Sequence, residues 1–251
     1  MIGKLFSKFL LTAVVCIAGV AHADPLSRGF FTIWVDDGLT GGTMKSLVVF
    51  NTMGIKGTFC IPTGFLNQPG HITSSELLTI AAAGSDICGH TISHLSLLQP
   101  INAFTLRSEL WSSKDTIETL LWRNRVNVAT FAYPYGDGDD NAVVRAAVAR
   151  FYSGARTTDW GIAYAGTDPL AIPSYSFQTD ISLAFWKAEA KRAHDTGGWI
   201  NFVVHFVDQP NQLYNINSAD LAALIVYMKS IGMAPITGEQ GVHLVLNKEA
   251  K

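Results

Sequence analysis

Short apolar runs alternate along the chain with longer segments in which apolar residues recur every three or four positions. The runs at 30–35, 56–61, 126–133 and 199–205 are rich in β-branched and aromatic residues, which is typical of buried strands. The segments between them have the spacing of amphipathic helices, the longest of which is predicted at 102–124. This alternation predicts an α/β fold built on a parallel sheet, either open or closed as a barrel.

Polar residues mark where several of these helices begin. Thr73 and Glu76 have the spacing of a capping box. Asp139 or Asp140 is the expected N-cap of a helix that starts near 142, and Ser218 is the expected N-cap of the last helix.

The composition predicts one large domain. A chain of 251 residues with 48% hydrophobic content can bury a substantial core. No linker or internal repeat divides the sequence. The net charge is -2 and no block of basic residues occurs, which argues against a nucleic-acid partner.

The first 23 residues have the organisation of a secretory signal peptide. Lys4 and Lys8 precede an apolar stretch at 9–20, and residues 21–23 read Ala-His-Ala, a typical cleavage site. We therefore predict a signal peptide at 1–23 and a single mature domain at 24–251. The mature protein is expected to be periplasmic or secreted and without membrane contact. An uncleaved anchor is the alternative, although the apolar stretch is short for a bilayer.

Cys60 and Cys88 remain in the mature chain after Cys16 leaves with the signal peptide. Export permits a disulfide between them. Their apolar, strand-like surroundings also suit free buried thiols. Both states stay open at the level of sequence.

Polar side chains lie at the carboxyl ends of five predicted strands. They are Asp36 and Asp37, His90 and His94, Tyr135, Asp159, and His205. Because active sites of parallel α/β folds collect at these strand ends, the side chains are expected to converge. This convergence is the main argument from the residues for an enzyme.

A metal site is predicted from Asp37, His90 and His94. The two histidines are four positions apart, so a helical turn between them would place both imidazoles on one face. Two histidines and one carboxylate leave coordination positions open, as a catalytic zinc requires. Other divalent ions accept the same ligands, so Zn²⁺ is the expected ion, with Co²⁺ or another divalent ion as alternatives.

The neighbouring polar groups suit hydrolysis of an acyl bond. Asp36 is next to the metal ligand Asp37 and is the natural base for a water. His205 ends a buried strand and is the natural acid for the leaving group, with a satisfied core histidine as the alternative reading. A backbone N–H near Tyr135 is placed to stabilise an oxyanion.

Four segments resemble, in order, the first, second, third and last motifs of the polysaccharide deacetylases, the NodB homology domain of carbohydrate esterase family 4. They are Val35-Asp36-Asp37-Gly38, His90-Thr91-Ile92-Ser93-His94, Ala132-Tyr133-Pro134-Tyr135-Gly136 and Val203-Val204-His205. The resemblance covers about residues 30–240, nearly all of the predicted mature chain.

The resemblance implies a distorted (β/α) barrel with seven or eight mostly parallel strands and a metal-dependent deacetylase activity. It makes Asp36 the general base, His205 the acid, and Asp37, His90 and His94 the metal ligands. It assigns the backbone amide of Tyr135 to the oxyanion. The implied substrate-binding residues are Pro134, Tyr135 and Val203, the last beside the acetyl methyl group, and Trp160 is a candidate platform for a sugar ring.

The sequence departs from the family pattern at two places. Many members begin the third motif with an arginine that orients the base, and here that residue is Ala132. Arg156, at the end of the next predicted strand, is the candidate replacement. In the fourth motif, Asp159-Trp160 resembles the ending, but Arg156 stands where the pattern has an earlier aspartate. Asp159 and Asp180 are therefore both candidates for the carboxylate that orients His205.

The function expected from these residues is removal of N-acetyl groups from a glycan that contains N-acetylglucosamine, with release of acetate. The alternatives are O-deacetylation of xylan or another glycan, hydrolysis of a small-molecule amide, and a glycan-binding domain without turnover. The sequence does not indicate an oligomeric state.

Overall fold

The computed structural model describes residues 29–98 and 101–246. The predicted signal peptide lies outside these residues. Within the two ranges, no helix combines the length and the apolar character needed to cross a bilayer.

The strands of the described residues form one large sheet and one small one. In chain order they are β1 (Phe30–Val35), β2 (Thr58–Ile61), β3 (Asp86–Gly89), β4 (Thr130–Ala132), β5 (Gly154–Arg156), β6 (Ile162–Ala163), β7 (Tyr175–Ser176), β8 (Trp199–Val204), β9 (Phe206–Val207), β10 (Asn215–Ile216) and β11 (Ala234–Pro235). The large sheet has the order β5-β4-β3-β2-β1-β8-β6, with β7 also on β8 and β11 also on β1. All pairs are parallel except β6 with β8. The small sheet pairs β9 with β10.

Helices connect most of the parallel strands. They are α1 (Thr40–Met53), α2 (Ser74–Ala82), α3 (Ala103–Arg107), α4 (Ser113–Leu120), α5 (Ala142–Val148), α6 (Leu183–Thr196), α7 (Ser218–Ser230) and α8 (Gly238–Gly241). The predicted α/β fold is confirmed as a distorted (β/α) barrel, with seven strands along the continuous path of the sheet.

The core has two layers because β1 and its neighbours are buried on both faces. Phe31, Ile33 and Val35 belong to an outer layer between the sheet and the helices. Phe30 and Trp34 belong to an inner layer enclosed by the curled sheet. Side chains of a strand alternate between its faces, so every second residue points into the barrel.

The structure corrects three local predictions. The helix predicted at 102–124 is α3 and α4 joined through a π-helical turn, Ser108–Ser112, followed by a 3₁₀ turn, Trp122–Asn124. The N-cap of α5 is Asn141 rather than Asp139 or Asp140, because the Asn141 side chain accepts hydrogen bonds from two N–H groups of the first turn. The N-cap of α7 is Asn217, and Ser218 is the first helical residue.

The structure also contains the predicted capping box and a disulfide. Thr73 and Glu76 cap α2 reciprocally, as predicted. Cys60 and Cys88 form a disulfide in the inner core layer. The two residues are direct Cα partners of the adjacent strands β2 and β3, which explains how the bridge can form.

Candidate active site

The alternation of side chains along three strands directs polar groups into the barrel mouth. Asp36, His90 and His205 each follow an inner-layer residue by two positions, namely Trp34, Cys88 and Val203. All three polar residues therefore continue the inward-pointing face beyond the last apolar position. Asp36 and His90 are buried, and the side chain of His205 is 20% exposed.

Asp37, His90 and His94 converge in the way that the sequence predicted. The Nε2 atoms of His90 and His94 lie 3.3 and 3.1 Å from Oδ1 of Asp37 and 3.1 Å from each other. One potential ligand atom from each residue lies within 4.8 Å of the other two. Asp37 has a left-handed backbone, with φ of 68°, which turns its side chain away from the face of its neighbour Asp36.

The donor set fits a cation. The carbonyl of Ala132 accepts a hydrogen bond from Nδ1 of His90 at 2.7 Å, so the other nitrogen presents its lone pair to the centre. Burial alone would raise the pKa of Asp37, but the two imidazoles beside its carboxylate lower it well below its ordinary value. Oδ1 of Asp37 is buried and accepts no well-formed hydrogen bond among the described residues. Two imidazole nitrogens and an ionised, otherwise uncommitted oxygen match the ligand preferences of zinc and similar divalent ions.

The loop that carries the two histidines is held by Glu109. Its carboxylate accepts hydrogen bonds from the N–H groups of Ile92 and Ser93, at 2.8 and 3.0 Å, and from the Ser93 hydroxyl at 2.8 Å. Thr91 and His94 have positive φ angles of 63° and 55°. The segment is therefore a strained loop rather than the helical turn assumed from the spacing of the histidines.

The carboxylate of Asp36 is bonded to Arg156. Nη2 of Arg156 donates to Oδ2 of Asp36, and both side chains are almost fully buried. Arg156 is the direct Cα partner of Ala132 across β5 and β4. The small side chain at 132 leaves the space that the guanidinium, packed over the Trp34 ring, occupies.

His205 faces Asp36, and no carboxylate of the described residues is bonded to its other side. Its Nε2 lies 3.9 Å from Oδ2 of Asp36, and its buried Nδ1 has no hydrogen-bond partner among the described residues. Asp159 and Asp180 are exposed, and neither is bonded to His205. Burial lowers the pKa of His205, although Asp36 and Asp37 act in the opposite direction. The ring of Tyr214 lies against the imidazole, with the ring centres 5.3 Å apart.

These groups line a cleft of about 460 Å³. Tyr135 and Trp160 form part of its walls and are substantially exposed, and the Tyr135 ring packs edge-on against His94. Tyr135 has a φ of 62°, and its N–H donates no hydrogen bond to another described residue. Pro134 and Val203 are buried beneath the cleft, and neither lines it.

Several residues in and around this cleft could not be recognised from the sequence. Glu109, which holds the histidine loop, falls within the helix predicted at 102–124, and no local pattern distinguishes it. Tyr214, Thr158, Ser176 and Gln178 line the cleft from segments without a recognisable motif.

Chemically, the arrangement places a cation site, a buried carboxylate and a second imidazole around one cavity. Such a set can activate a water and protonate a leaving group in a hydrolysis.

Similarity to known proteins identifies the family of this chain. Residues 24–152 match the family model described as polysaccharide deacetylase. A gellan lyase from Bacillus sp. is 25% identical in an alignment of length 207, and the alignment covers 72% of this chain but only 8% of the lyase. The chain therefore spans a small part of that relative.

Two solved structures share the fold over most of the chain. The Xyl-CE4 domain of a multidomain xylanase, from the hindgut metagenome of Trinervitermes trinervoides, has a TM-score of 0.61 and 18% identity. The alignment covers 85% of this chain and 89% of that one. A peptidoglycan N-acetylglucosamine deacetylase has a TM-score of 0.58 and 16% identity, over 85% and 88% of the two chains. With the family-model match over half of its length, the chain belongs to the polysaccharide deacetylase family.

Proposed function

We propose that this protein is a metal-dependent deacetylase that removes N-acetyl groups from a polysaccharide or oligosaccharide containing N-acetylglucosamine, with release of acetate. The observation that carries the proposal is the convergence of Asp37, His90 and His94 directly beside the bonded pair Asp36 and Arg156. Membership of the deacetylase family supports the reaction type.

The proposed cofactor is one divalent cation, Zn²⁺ in the first instance, held by Asp37, His90 and His94. Such an ion supplies Lewis acidity, which polarises an acyl carbonyl and lowers the pKa of a water. The protein contributes the orientation of the ligands, through the Ala132 carbonyl on His90 and through Glu109 on the histidine loop.

The other groups move the protons. Asp36 accepts the proton of the attacking water, and Arg156 holds its carboxylate in place. The free N–H of Tyr135 donates to the oxygen that gains negative charge. His205 then gives a proton to the leaving nitrogen, which makes the amine a better leaving group.

The walls of the cleft suit a sugar. Tyr135, Trp160 and Tyr214 offer aromatic faces, against which the apolar face of a pyranose ring can pack. The hydroxyls of Thr158 and Ser176 and the amide of Gln178 supply hydrogen-bonding groups beside them. Similarity to a peptidoglycan N-acetylglucosamine deacetylase supports an N-acetyl substrate.

O-deacetylation of xylan or another glycan is the second candidate. The similarity to a Xyl-CE4 domain of a xylanase favours it, and it would use the same residues in the same roles. Export out of the cytoplasm is proposed in both cases, from the signal-peptide pattern at 1–23. The disulfide between Cys60 and Cys88 supports an oxidising compartment, where such bridges persist.

The experiment that tests the proposal is acetate release by purified residues 24–251. The protein is stripped of metal, then assayed without metal and with added Zn²⁺ or Co²⁺, on N-acetylglucosamine oligomers beside acetylated xylan. We expect release from the oligomers only after a metal is added. Release from xylan alone would replace N-deacetylation by O-deacetylation, and no release from either would contradict the deacetylase.

Two variants separate the metal site from the proton transfer. Asp36→Asn should bind one equivalent of Zn²⁺ and lose turnover, because the base is gone while the ligands remain. His90→Ala should lose both Zn²⁺ and turnover, since two remaining ligands bind weakly. Stoichiometric Zn²⁺ in His90→Ala would contradict the assigned ligands.

A further inference from the structure

An apolar groove of about 620 Å³ lies between α3 and α5, on the helical side of the sheet. Phe104, Leu106, Val143 and Phe151 supply much of its apolar surface. Among the described residues, none that lines this groove also lines the cleft of the candidate active site. The role of the groove must therefore be sought apart from the chemistry of that cleft.

The rim of the groove carries apolar side chains that are open to solvent. Phe104 is 82% exposed and Val143 is 70% exposed. Single exposed apolar residues are ordinary on a protein surface, but exposed apolar side chains gathered around a groove mark an interaction site.

One end of the groove is positively charged. Arg107 is the last residue of α3, and its guanidinium lies over the ring of Phe151, 6.0 Å from the ring centre. Arg150 directly precedes Phe151, just beyond the end of α5, so both arginines stand at the carboxyl ends of the two helices. Neither arginine forms an ion pair with another described residue.

The opposite end of the groove is negatively charged. Asp139 and Asp140 lie just ahead of the N-cap of α5, and Asp140 is exposed. Burial raises the pKa of Asp139 above its ordinary value, and the charges of Asp159 and Asp140 raise it further. The nearby Arg145 is already paired with Asp168. This end therefore keeps a net negative charge.

The two ends make the groove complementary to itself. A twofold axis across its middle would bring the positive end of one copy against the negative end of another, with the two α5 helices antiparallel. Isologous interfaces have this self-complementary character. Because α5 has seven residues and is about 10 Å long, both charged ends fall within one interface of ordinary size.

The same arrangement disfavours other occupants. An acidic partner of another kind would be attracted to Arg107 and Arg150 but repelled by Asp139 and Asp140, and an anionic membrane surface would meet the same repulsion. A second copy of this chain satisfies both ends and covers Phe104 at the same time.

We propose that the groove between α3 and α5 is the interface of a homodimer. In this dimer Asp140 of each chain faces Arg150 of the other, and Phe104 of each chain is covered by the other chain's groove. The inference does not rest on the proposed function, because none of these three residues lines the cleft.

Sedimentation of the predicted mature chain, residues 24–251 with Zn²⁺ bound, tests the proposal. We expect twice the mass of one chain, falling to the mass of one chain on dilution. A mass of one chain at every concentration up to about 1 mM, the weak end of the usual scale of affinities, would overturn the dimer.

Two charge reversals identify the face that associates. Asp140→Arg and Arg150→Asp each give the groove the same charge at both ends, so like charges meet at both contacts of the twofold pair. Each variant alone should raise the Kd of the dimer by about 30-fold or more, as loss of a central contact usually does. Mixed in equal amounts, the two variants should associate with one another, because both contacts between them then join opposite charges.

An apolar variant and its control complete the test. Phe104→Ser removes the exposed ring and should also weaken the dimer by about 30-fold. Val48→Ser is the control, because Val48 is 65% exposed on α1 and does not line the groove. It should sediment like the wild type.

The mixed sample also shows that the charge variants fold, since only folded chains can recover the dimer. A dimer that persists in either charge variant or in Phe104→Ser would place the interface elsewhere and overturn the proposal. Charge variants that lose the dimer and do not recover it when mixed would overturn it as well, as would an equal loss in Val48→Ser.

Discussion

Arg156 shows how one side chain can take a position that the family pattern gives to another. The third motif has Ala132 where many relatives have an arginine, and the guanidinium beside Asp36 comes instead from the next strand. Because residues 132 and 156 are direct partners in parallel strands, the two positions offer nearly the same starting point for a long side chain. We infer that Arg156 takes the place of the arginine that the family pattern has at position 132, since the two positions are partners on adjacent strands.

Replacing Arg156 by lysine should impair turnover more than folding. Lysine keeps the positive charge but lacks the planar fork that fixes a carboxylate. We expect kcat to fall by about 100-fold with little change in KM, because a misplaced base affects the chemical step. Steady-state kinetics on the best oligomer measure the effect, and thermal unfolding and Zn²⁺ content are measured alongside.

Arg145→Lys is the control for this prediction. Arg145 forms an ion pair with Asp168 that is partly exposed and away from the cleft, so the same exchange of side chain should leave kcat unchanged. Wild-type kcat in Arg156→Lys would show that the arginine only fills space next to Asp36.

At this scale the sequence predicted the local groupings better than the long-range ones. Asp36 and Asp37 are adjacent, so the end of one strand places both. His90 and His94 are four positions apart, so one loop places both. Asp36 and Arg156 are 120 positions apart, and only the order and register of the sheet bring them together. Glu109 could not be recognised, because its carboxylate acts on backbone N–H groups that carry no sequence signature.

At the scale of elements, the π-helical turn at Ser108–Ser112 is the clearest departure from the predicted helix. Glu109 lies inside it, and the turn brings its carboxylate to the histidine loop. Ser113, the first residue of α4, donates to the carbonyl of Thr91 in the same loop at 2.8 Å. π-helical turns are rare and frequently occur at functional sites, and this one supports the loop that carries His90 and His94.

Removing the Glu109 carboxylate should weaken metal binding without touching a ligand. Glu109→Ala leaves three donors of the histidine loop without their acceptor, so the loop loses its fixed geometry. We expect the affinity for Zn²⁺ to fall by about 10- to 100-fold, as is usual when a group that orients metal ligands is lost. Competition with a chromophoric chelator measures the affinity.

Two further variants make the result specific. Glu109→Gln retains an oxygen acceptor and should recover most of the affinity, which a mere loss of packing would not explain. Asp115→Ala removes an exposed carboxylate from the first turn of α4 and should bind Zn²⁺ like the wild type. Unchanged affinity in Glu109→Ala would show that the loop is held by its own backbone.

The bridge joins β3, which leads directly to His90, to its neighbour β2. Cys60 and Cys88 are 28 positions apart, and closing a loop of this length stabilises the folded state by about 3.5 kcal/mol through the unfolded chain. The double variant Cys60→Ala, Cys88→Ala should lose at least that free energy of unfolding, since it also removes buried sulfur from the inner layer.

Urea unfolding of metal-free protein, oxidised and reduced, checks this prediction. Metal-free conditions keep the reductant from competing for Zn²⁺. The reduced wild type should unfold at a lower urea concentration than the oxidised protein, close to the double variant. Identical midpoints for the oxidised and reduced wild type would contradict a bridge that stabilises the fold.

At the scale of the whole molecule, the candidate active site lies at one end of the barrel and helix α8 covers the opposite end. Asp36, His90 and His205 lie beyond the carboxyl ends of the strands, whereas Asp86 begins β3 at the other end. There its carboxylate accepts hydrogen bonds from the Thr58 hydroxyl at 3.2 Å and from the Glu239 N–H of α8 at 3.1 Å. Short helix α8 thus covers the end of the barrel that carries no site.

The overall architecture was predictable because it depends on periodicity, and its details were not. Alternating runs predicted the parallel α/β sheet and the end at which the polar groups meet. The two-residue strands β6 and β7 were not separated from loops, since two residues carry no pattern. The final strand expected at 233–236 is present as β11. The hydrogen bonds of Thr179 to the carbonyls of Gln212 and Leu213 were likewise not predictable, because they join loops without periodic sequence.

Asp86 should make the stability of the whole domain depend on pH. Burial raises the pKa of Asp86 to about 7, with a smaller contribution from the charge of Glu239. The folded state therefore holds this proton more tightly than the unfolded chain does. The corresponding stability is complete at pH below the ordinary pKa of aspartate and is lost as the pH rises through about 7.

Asp86→Asn removes the ionisation and can keep one acceptor for the Glu239 N–H. We therefore expect the difference in free energy of unfolding, variant minus wild type, to increase by about 1–4 kcal/mol from pH 5 to pH 8. Each pKa unit corresponds to about 1.4 kcal/mol. Urea unfolding of metal-free protein at the two pH values measures it. Titration of the metal ligands is common to both proteins and cancels in the difference.

Glu239→Gln removes only the nearby charge and should produce a smaller change of the same sign. A difference between wild type and Asp86→Asn that is the same at both pH values would mean that Asp86 is already ionised in the folded protein at pH 5, and that α8 closes the barrel over a charged carboxylate.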